Sequence, residues 1–485
     1  MNALVIGTGV NELVCAHYLA RAGHQVLVLE DRAAHGDAGN DSGWIPERIL
    51  HDLRLQESGL KVERPDPWIT APLPGGGRLE LWRDMARSVE AIRRVSPHDA
   101  AKWPEFCERM ARVARLLETV YTAPPPDLLT RSAGGLRALA GLGFRAHRLG
   151  RQGIEDLLRL LPISAADFLD DNFESDALKG LLGAAGVMHL CQGPRSGGTA
   201  FRLLHHHAGN PPGVFRPPES NVRDVLSRLP GVEIRRGVGV ARIVVRAGRV
   251  SEVVLESGEE RPAALVVSGA DPRRTLLELM DPGWLDPELV RAVQHIRRRG
   301  VAARVDLALE HTPGFARLAV APSLDYLERA YDDAKHGRVS RAPYLEVTNG
   351  GKTAEGRHRL DVHVQYAPYA LADGQWDDDR RRALGEIAVR EMSEQGVDVG
   401  SAVITRVLSP RDMEAEYGCP EGQVDQAEAT LDQSFFMRPT PELAHYRTPV
   451  GGLYLCGTGM HPGGGVAGAG GRNAAREIAL DLRNK

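Results

Sequence analysis

Asn2-Ala3-Leu4-Val5-Ile6-Gly7-Thr8-Gly9-Val10-Asn11-Glu12 opens the chain, and Gln25-Val26-Leu27-Val28-Leu29-Glu30 follows it closely. The first run is short, apolar and ends on a glycine, which predicts a buried parallel strand. Residues 10–22 carry apolar side chains at helical spacing, and Gly23 closes that helix. The second apolar run is another buried strand, so the chain begins with a βαβ unit. Gly7 makes the turn, and Gly9 lets backbone approach a pyrophosphate at the helix N-terminus. Glu30 ends the second strand where a carboxylate would meet ribose hydroxyls. The expected fold class is therefore α/β.

Working outward, residues 68–83 predict a hairpin with its turn at 74–77. Residues 85–190 are mostly helical in pattern, broken by Pro124-Pro125-Pro126. Strands are expected at 232–236, 238–246, 250–256 and 264–268, and again at 300–309, 343–348, 359–366 and 402–408. Helical stretches fall at 285–298 and 377–395. A last strand, 453–456, leads through a glycine-dense loop into a helix over about 468–482. The two ends thus read as one discontinuous Rossmann-like domain, with a mixed domain inserted. The boundaries are placed at 1–67, 196–278 and 445–485 for the dinucleotide domain. Residues 68–195 and 279–444 form an α+β substrate domain with a helical cap.

Composition narrows the functional classes. The chain has 485 residues, 42% hydrophobic and 26% charged, with a formal net charge of -4. A dedicated nucleic-acid binder would be strongly basic, so that class is excluded as an expectation. The five cysteines include no C-x-x-C pair, which reads as reduced thiols in a cytoplasmic protein with no metal site. His205-His206-His207 does not change this: on a helix consecutive residues do not share a face, and on a strand only two of the three could ligate one metal, so a polar lining or surface run is the expectation. The stretch 129–160 carries Arg131, Arg137, Arg145, Arg148 and Arg151. It is read as a helical cap with a solvated basic face, with peripheral membrane contact as the alternative.

Glycine is the composition's outlier, with 53 in the chain against a usual ~7%. Ten of them fall in the 25 residues Gly451–Ala475. Such density between a strand and a helix clears side chains where a planar ligand meets backbone. The following helix start can face negative charge.

This segment resembles the C-terminal flavin-binding signature of phytoene-desaturase-like flavoproteins, most closely the subgroup of pyridine nucleotide-disulfide oxidoreductase-domain proteins. Further similarity runs through Trp44–Gly59, Leu161–Phe173, Leu265–Pro272, Tyr344–Tyr366 and Leu431–Pro439. The resemblance implies a two-domain FAD-dependent oxidoreductase acting on a mostly apolar small molecule, by hydride transfer or flavin-assisted isomerisation. It implies that Gly7, Gly9, Glu30 and Val240 hold the AMP half of FAD. Gly457, Gly459, Gly464, Gly465 and Val466 would line the flavin end, and His461 and Arg438 would face substrate. A homo-oligomer, or pairing with a paralogue, also fits the family.

Three departures from the family pattern converge on the cofactor. Glu12 replaces the third glycine, the loop Asp31–Gly39 is short and acidic, and Pro217-Pro218-Glu219-Ser220 replaces a glycine-rich turn. Asp31, Asp37 and Asp41 add negative charge where phosphates would sit. They motivate an alternative reading, an FAD-free family member acting as a binding or structural partner of another enzyme.

Overall fold

The computed structural model describes residues 2–30, 41–126, 133–353 and 355–483. Asp31, Asp37 and Arg131 lie outside the described residues.

Five short strands form a parallel sheet in the order Leu453–Leu455, Leu265–Ser268, Asn2–Ile6, Gln25–Glu30 and Glu233–Arg236. Val5, Val28, Val266 and Val267 are fully buried within it, as expected of strands covered on both faces. The sheet is assembled from three distant stretches of chain, so this layer is discontinuous. The helix Val10–Arg21 packs against the C-terminal helix Ala469–Arg483. A Cβ at Gly471 would come 1.8 Å from the Asn11 carbonyl oxygen, so glycine sets that close approach. Val240–Arg246, Arg249–Leu255 and Glu260–Pro262 make a separate antiparallel sheet.

A second layer is a seven-stranded sheet in the order Val403–Leu408, Ala302–Leu309, His358–Gln365, Leu345–Lys352, Arg317–Val320, Ile69–Pro72 and Arg78–Leu81. One of its faces, with Val305, Leu307, Leu360, Val362, Val364, Leu345 and Val347, joins Leu384, Ala388 and Met392 of the helix Asp378–Glu394 in a core. The strand Arg317–Val320 and the helix Leu324–Lys335 were not anticipated from the sequence. The first is only four residues long, too short to show a periodicity. The hairpin expected at 68–83 is present as Ile69–Pro72 and Arg78–Leu81.

Helices from Met85 to His207 cover one side. They pack around Trp103, Phe106, Phe168, Phe173 and Phe215, whose ring centroids lie 4.8 to 6.1 Å apart where they meet. Leu136, Phe144 and Leu158 are exposed on two of these helices. No helix among the described residues is long and apolar enough to cross a membrane.

Candidate functional site: a cofactor cleft and an adjoining chamber

A cleft of about 540 Å³ opens at the C-terminal ends of the parallel strands. That is where ligands bind in open α/β sheets, and the volume lies within the usual range for such sites. Gly7, Gly9, Glu30 and Val240 line one part, and Gly464, Gly465 and Val466 line another. Residues more than 450 positions apart in sequence therefore share one cavity. Gly7 sits at φ +102°, a conformation that favours glycine, and its N–H donates to the Leu29 carbonyl at 2.8 Å. The Thr8 hydroxyl donates to Glu30, and Arg236 Nε lies 3.2 Å from the same carboxylate. Glu30 is thus held at the strand end, on the cleft.

Gly457 and Gly459 serve a different purpose from the one expected. They line neither cavity. A Cβ at Gly457 would come 2.3 Å from the Gly269 carbonyl oxygen, and one at Gly459 would come 3.0 Å from Pro272. Their missing side chains let two backbone loops close on each other. Gly464 and Gly465 do line the cleft, yet their Cβ directions point at protein. A Cβ would lie 1.8 Å from Asp425 Oδ1 at Gly464, and 2.9 Å from His205 Nε2 at Gly465.

His461 and Arg438 do not face either cavity, which corrects their expected role. His461 is fully buried, and its Nε2 lies 3.2 Å from the Val120 carbonyl. Burial holds its imidazole down at about 4, hence neutral. Arg438 is 1% exposed and donates to six carbonyls: Met460, Glu428, Gln433, Asp425, Ala427 and Thr458. It fastens the 425–433 loop to the glycine loop from behind.

The three histidines also have separate duties. His205 Nε2 donates to the Gly464 carbonyl at 2.7 Å, so its Nδ1 accepts from the Tyr121 hydroxyl at 2.8 Å. His207 Nδ1 donates to the Val214 carbonyl at 2.6 Å. His206 lines the cleft, and its Nδ1 has no partner. They converge on no common point.

Two of the three departures from the family pattern fall within the described residues; the loop Asp31–Gly39 lies outside them. Glu219 is ion-paired with Arg317 on the seven-stranded sheet and does not line the cleft. Asp41 Oδ2 accepts from the Arg223 N–H at 3.0 Å, and Arg223 Nε lies 3.6 Å from the same carboxylate. Asp41 lines the cleft, and burial raises its pKa against the pull of Arg223. Glu12 also lines the cleft and is 6% exposed. A Cβ at Gly9 would lie 2.4 Å from Glu12 Oε2, and a Cβ at Gly269 would lie 2.0 Å from Oε1. The carboxyl thus occupies the niche between the dinucleotide loop and the loop after Leu265–Ser268. Burial raises its pKa to about 7, opposed by a hydrogen bond from its own backbone N–H.

Gly269 is what makes room for Glu12. Gly269→Ala should cost about 2 kcal/mol through overpacking. In a Glu12→Gly background the same change should cost little. Urea unfolding of the two single variants and the double variant measures that coupling.

The cleft fits FAD when Glu12 is uncharged. Gly7, Gly9, Glu30, Val240, Gly464, Gly465 and Val466 all line one volume. In the first turn of the helix Val10–Arg21 the Glu12 N–H bonds its own carboxyl, which leaves the N–H groups before it for a phosphate. The neutral carboxyl is a donor rather than a repelling charge.

A chamber of about 250 Å³ adjoins the cleft. The two share Ser42, Met188, His189, Pro217, Arg304, Met413 and Val424. The second face of the seven-stranded sheet contributes to its wall. Arg304 pairs in register with His363, and His363 with Glu346; Asp361 pairs with Thr348, and Thr348 with Arg317. The signal for this wall was in the sequence as alternation within strands: Leu345-Glu346-Val347-Thr348 and Leu360-Asp361-Val362-His363. Polar residues at every second position of a strand normally face water, and here they face a cavity instead.

His189 stands at the junction of cleft and chamber. It adopts φ +62°, a conformation that costs a non-glycine residue about 1 kcal/mol. Two buried amides hold it there: its N–H donates to Gln365 Oε1 at 3.1 Å, and its carbonyl accepts from Gln423 Nε2 at 3.0 Å. Its ring lies edge-on to His363 at 4.8 Å. Burial holds its pKa at about 3, so the imidazole is neutral, and Nδ1 has no partner.

The profile of the FAD dependent oxidoreductase (DAO) family matches residues 2–183. The chain is 31% identical to the rat "Pyridine nucleotide-disulfide oxidoreductase domain-containing protein 2" over 547 aligned positions, covering 100% of this chain and 94% of the rat protein. It is 24% identical to a limonene dehydrogenase component of Castellaniella defragrans, covering 99% and 95%. It is also 24% identical to "Hydroxyneurosporene desaturase" of Cereibacter sphaeroides, covering 99% and 98%. A solved putrescine oxidase triple mutant shares the fold, with a TM-score of 0.61 at 14% identity over 100% of this chain and 99% of that one.

Proposed function

The chain belongs to the family of pyridine nucleotide-disulfide oxidoreductase domain-containing protein 2, among the FAD-dependent oxidoreductases, and on that premise we propose that it binds FAD and oxidises a small molecule by hydride transfer. The observation that carries this reading is the shared cleft. Gly7, Gly9, Glu30 and Val240 reach it from one side, and Gly464, Gly465 and Val466 from the other. When bound there, FAD would supply the hydride acceptor.

The protein's own residues bind, orient and exclude water. Glu30 would take the ribose hydroxyls, and the amides at the start of the helix Val10–Arg21 would take the pyrophosphate. Arg438 and His205 hold the glycine loop in place from outside the cleft. His189 presents a neutral imidazole at the boundary with the chamber.

The FAD-free reading also has one observation in its favour, the Glu12 carboxyl in the dinucleotide loop. Visible absorbance of the purified protein separates the two readings. It should be recorded as isolated and after incubation with excess FAD followed by gel filtration, at about pH 6. Near-stoichiometric flavin is expected. Absence of flavin under both conditions would sink the oxidoreductase reading.

A further inference from the structure

The chamber's wall holds charges of both signs in equal number. Arg216, Arg304 and Arg317 face Glu219, Glu346 and Asp361. Arg216 Nε lies 2.7 Å from Glu346 Oε2, and Arg317 pairs with Glu219. Arg304 Nη2 donates to Asp361 at 2.9 Å. Behind the wall, Asp306 pairs with Arg304 at 2.6 Å, and Arg359 with Asp361 at 3.1 Å, so the balance persists one layer out. The two histidines at the chamber, His189 and His363, are both held neutral by burial.

A net-charged ligand would upset that balance in a region of weak screening. A hydrocarbon would cover the ion pairs without replacing the water that solvates them. The volume is also small, about 250 Å³, below the usual ~300–1,000 Å³ of ligand sites. A long polyene does not fit. Thr348 stands on the same wall.

Building on the oxidoreductase reading, we propose that this chamber is the substrate site and that it takes a small polar molecule with no net charge. Such a ligand is neutral with several hydrogen-bonding groups, or zwitterionic. Its polar groups meet Thr348 and the ion-paired wall, and its reacting carbon lies toward the cleft at Met188 and His189. The expectation of a mostly apolar substrate gives way here to the charge pattern of the sheet face.

Thermal unfolding of the full chain with a panel of small compounds at equal concentration tests this. The panel comprises zwitterionic amino acids, neutral polyols, mono-carboxylates, mono-amines and a monoterpene hydrocarbon. At least one net-uncharged polar compound should raise the Tm by several degrees, and the others should not. The readout does not require flavin, so it stands even where FAD binding fails; the flavin absorbance reports on that separately. Thr348→Phe fills the chamber from a position that does not line the cleft, and should abolish the shift while retained flavin stays unchanged. Glu346→Gln leaves the wall net positive, and should move the preference to mono-carboxylates. A shift from the hydrocarbon or from net-charged compounds alone would overturn the proposal. So would no shift from any compound, or a shift unaffected by both substitutions.

Discussion

Glu12→Gly should tighten FAD binding by on the order of 10-fold at pH 8 and should do much less at pH 6. An ionised carboxylate about 5 Å from a phosphate costs roughly 3 kcal/mol at an effective dielectric near 20, and ~1.4 kcal/mol is tenfold in affinity. The charge is present only above the group's pKa, which burial raises to about 7. Below that value Glu12 is a neutral acid and opposes nothing. Above it, binding must carry a proton along, so wild-type affinity should fall about tenfold per pH unit. Glu12→Gln keeps the volume and loses the charge, and its affinity should be flat across the range. Fluorescence titration of the protein with FAD at several pH values measures all three curves. A wild-type curve with no break near neutrality would show that Glu12 turns away when the cofactor enters.

The same carboxyl has a consequence for stability. Burial lifts its folded-state pKa above the ordinary glutamate value, so the folded state holds the proton more tightly than the unfolded chain does. Its penalty is absent below about pH 4.5, grows through about pH 7, and is complete above that, at about 3 kcal/mol. Wild-type stability should therefore decline relative to Glu12→Gln between about pH 5 and pH 8.

The fold was legible because its strands are apolar runs closed by glycines, turns or caps. The expected strand 359–366 is observed as His358–Gln365, and the expected helix 377–395 as Asp378–Glu394. The cofactor cleft was half legible. Residues that approach a ligand through backbone leave glycines, and Gly7, Gly9, Gly464 and Gly465 do line the cleft, although the missing Cβ atoms of Gly464 and Gly465 point at protein. The same reasoning misassigned Gly457 and Gly459, because a glycine that admits a neighbouring loop looks like one that admits a ligand. His461 and Arg438 misled for a related reason. Polar residues near a binding loop can as well be its buried scaffold. The chamber was missed because its residues come from separate strands whose register no local pattern encodes. Each strand carries only a few of them, and cross-strand pairing alone brings Arg304, His363 and Glu346 into one row.

Arg438→Met is expected to be among the most destabilising single changes in the chain, at about 4 kcal/mol or more. The guanidinium is 1% exposed and supplies donors to six backbone carbonyls on two loops. Each carbonyl left buried without a donor costs ~1–3 kcal/mol, offset in part by relaxation and entering water. The charge itself is only partly compensated. Burial pulls the Arg438 pKa down to about 10 while the nearby Asp425 opposes that pull. Methionine removes both the charge and the donors, so the net loss is smaller than a sum over six bonds. Arg438→Lys retains a charge but places at most three donors around a point, and should fall between wild type and methionine. The distinguishing measurement pairs urea unfolding with substrate or ligand titration. A scaffold role predicts a large drop in the unfolding midpoint and, in the fraction still folded, an unchanged ligand affinity in the chamber. A substrate-facing role predicts the reverse, an intact midpoint and lost affinity. The six carbonyl contacts favour the first outcome, because a guanidinium whose donors are all directed at backbone has none left for a ligand.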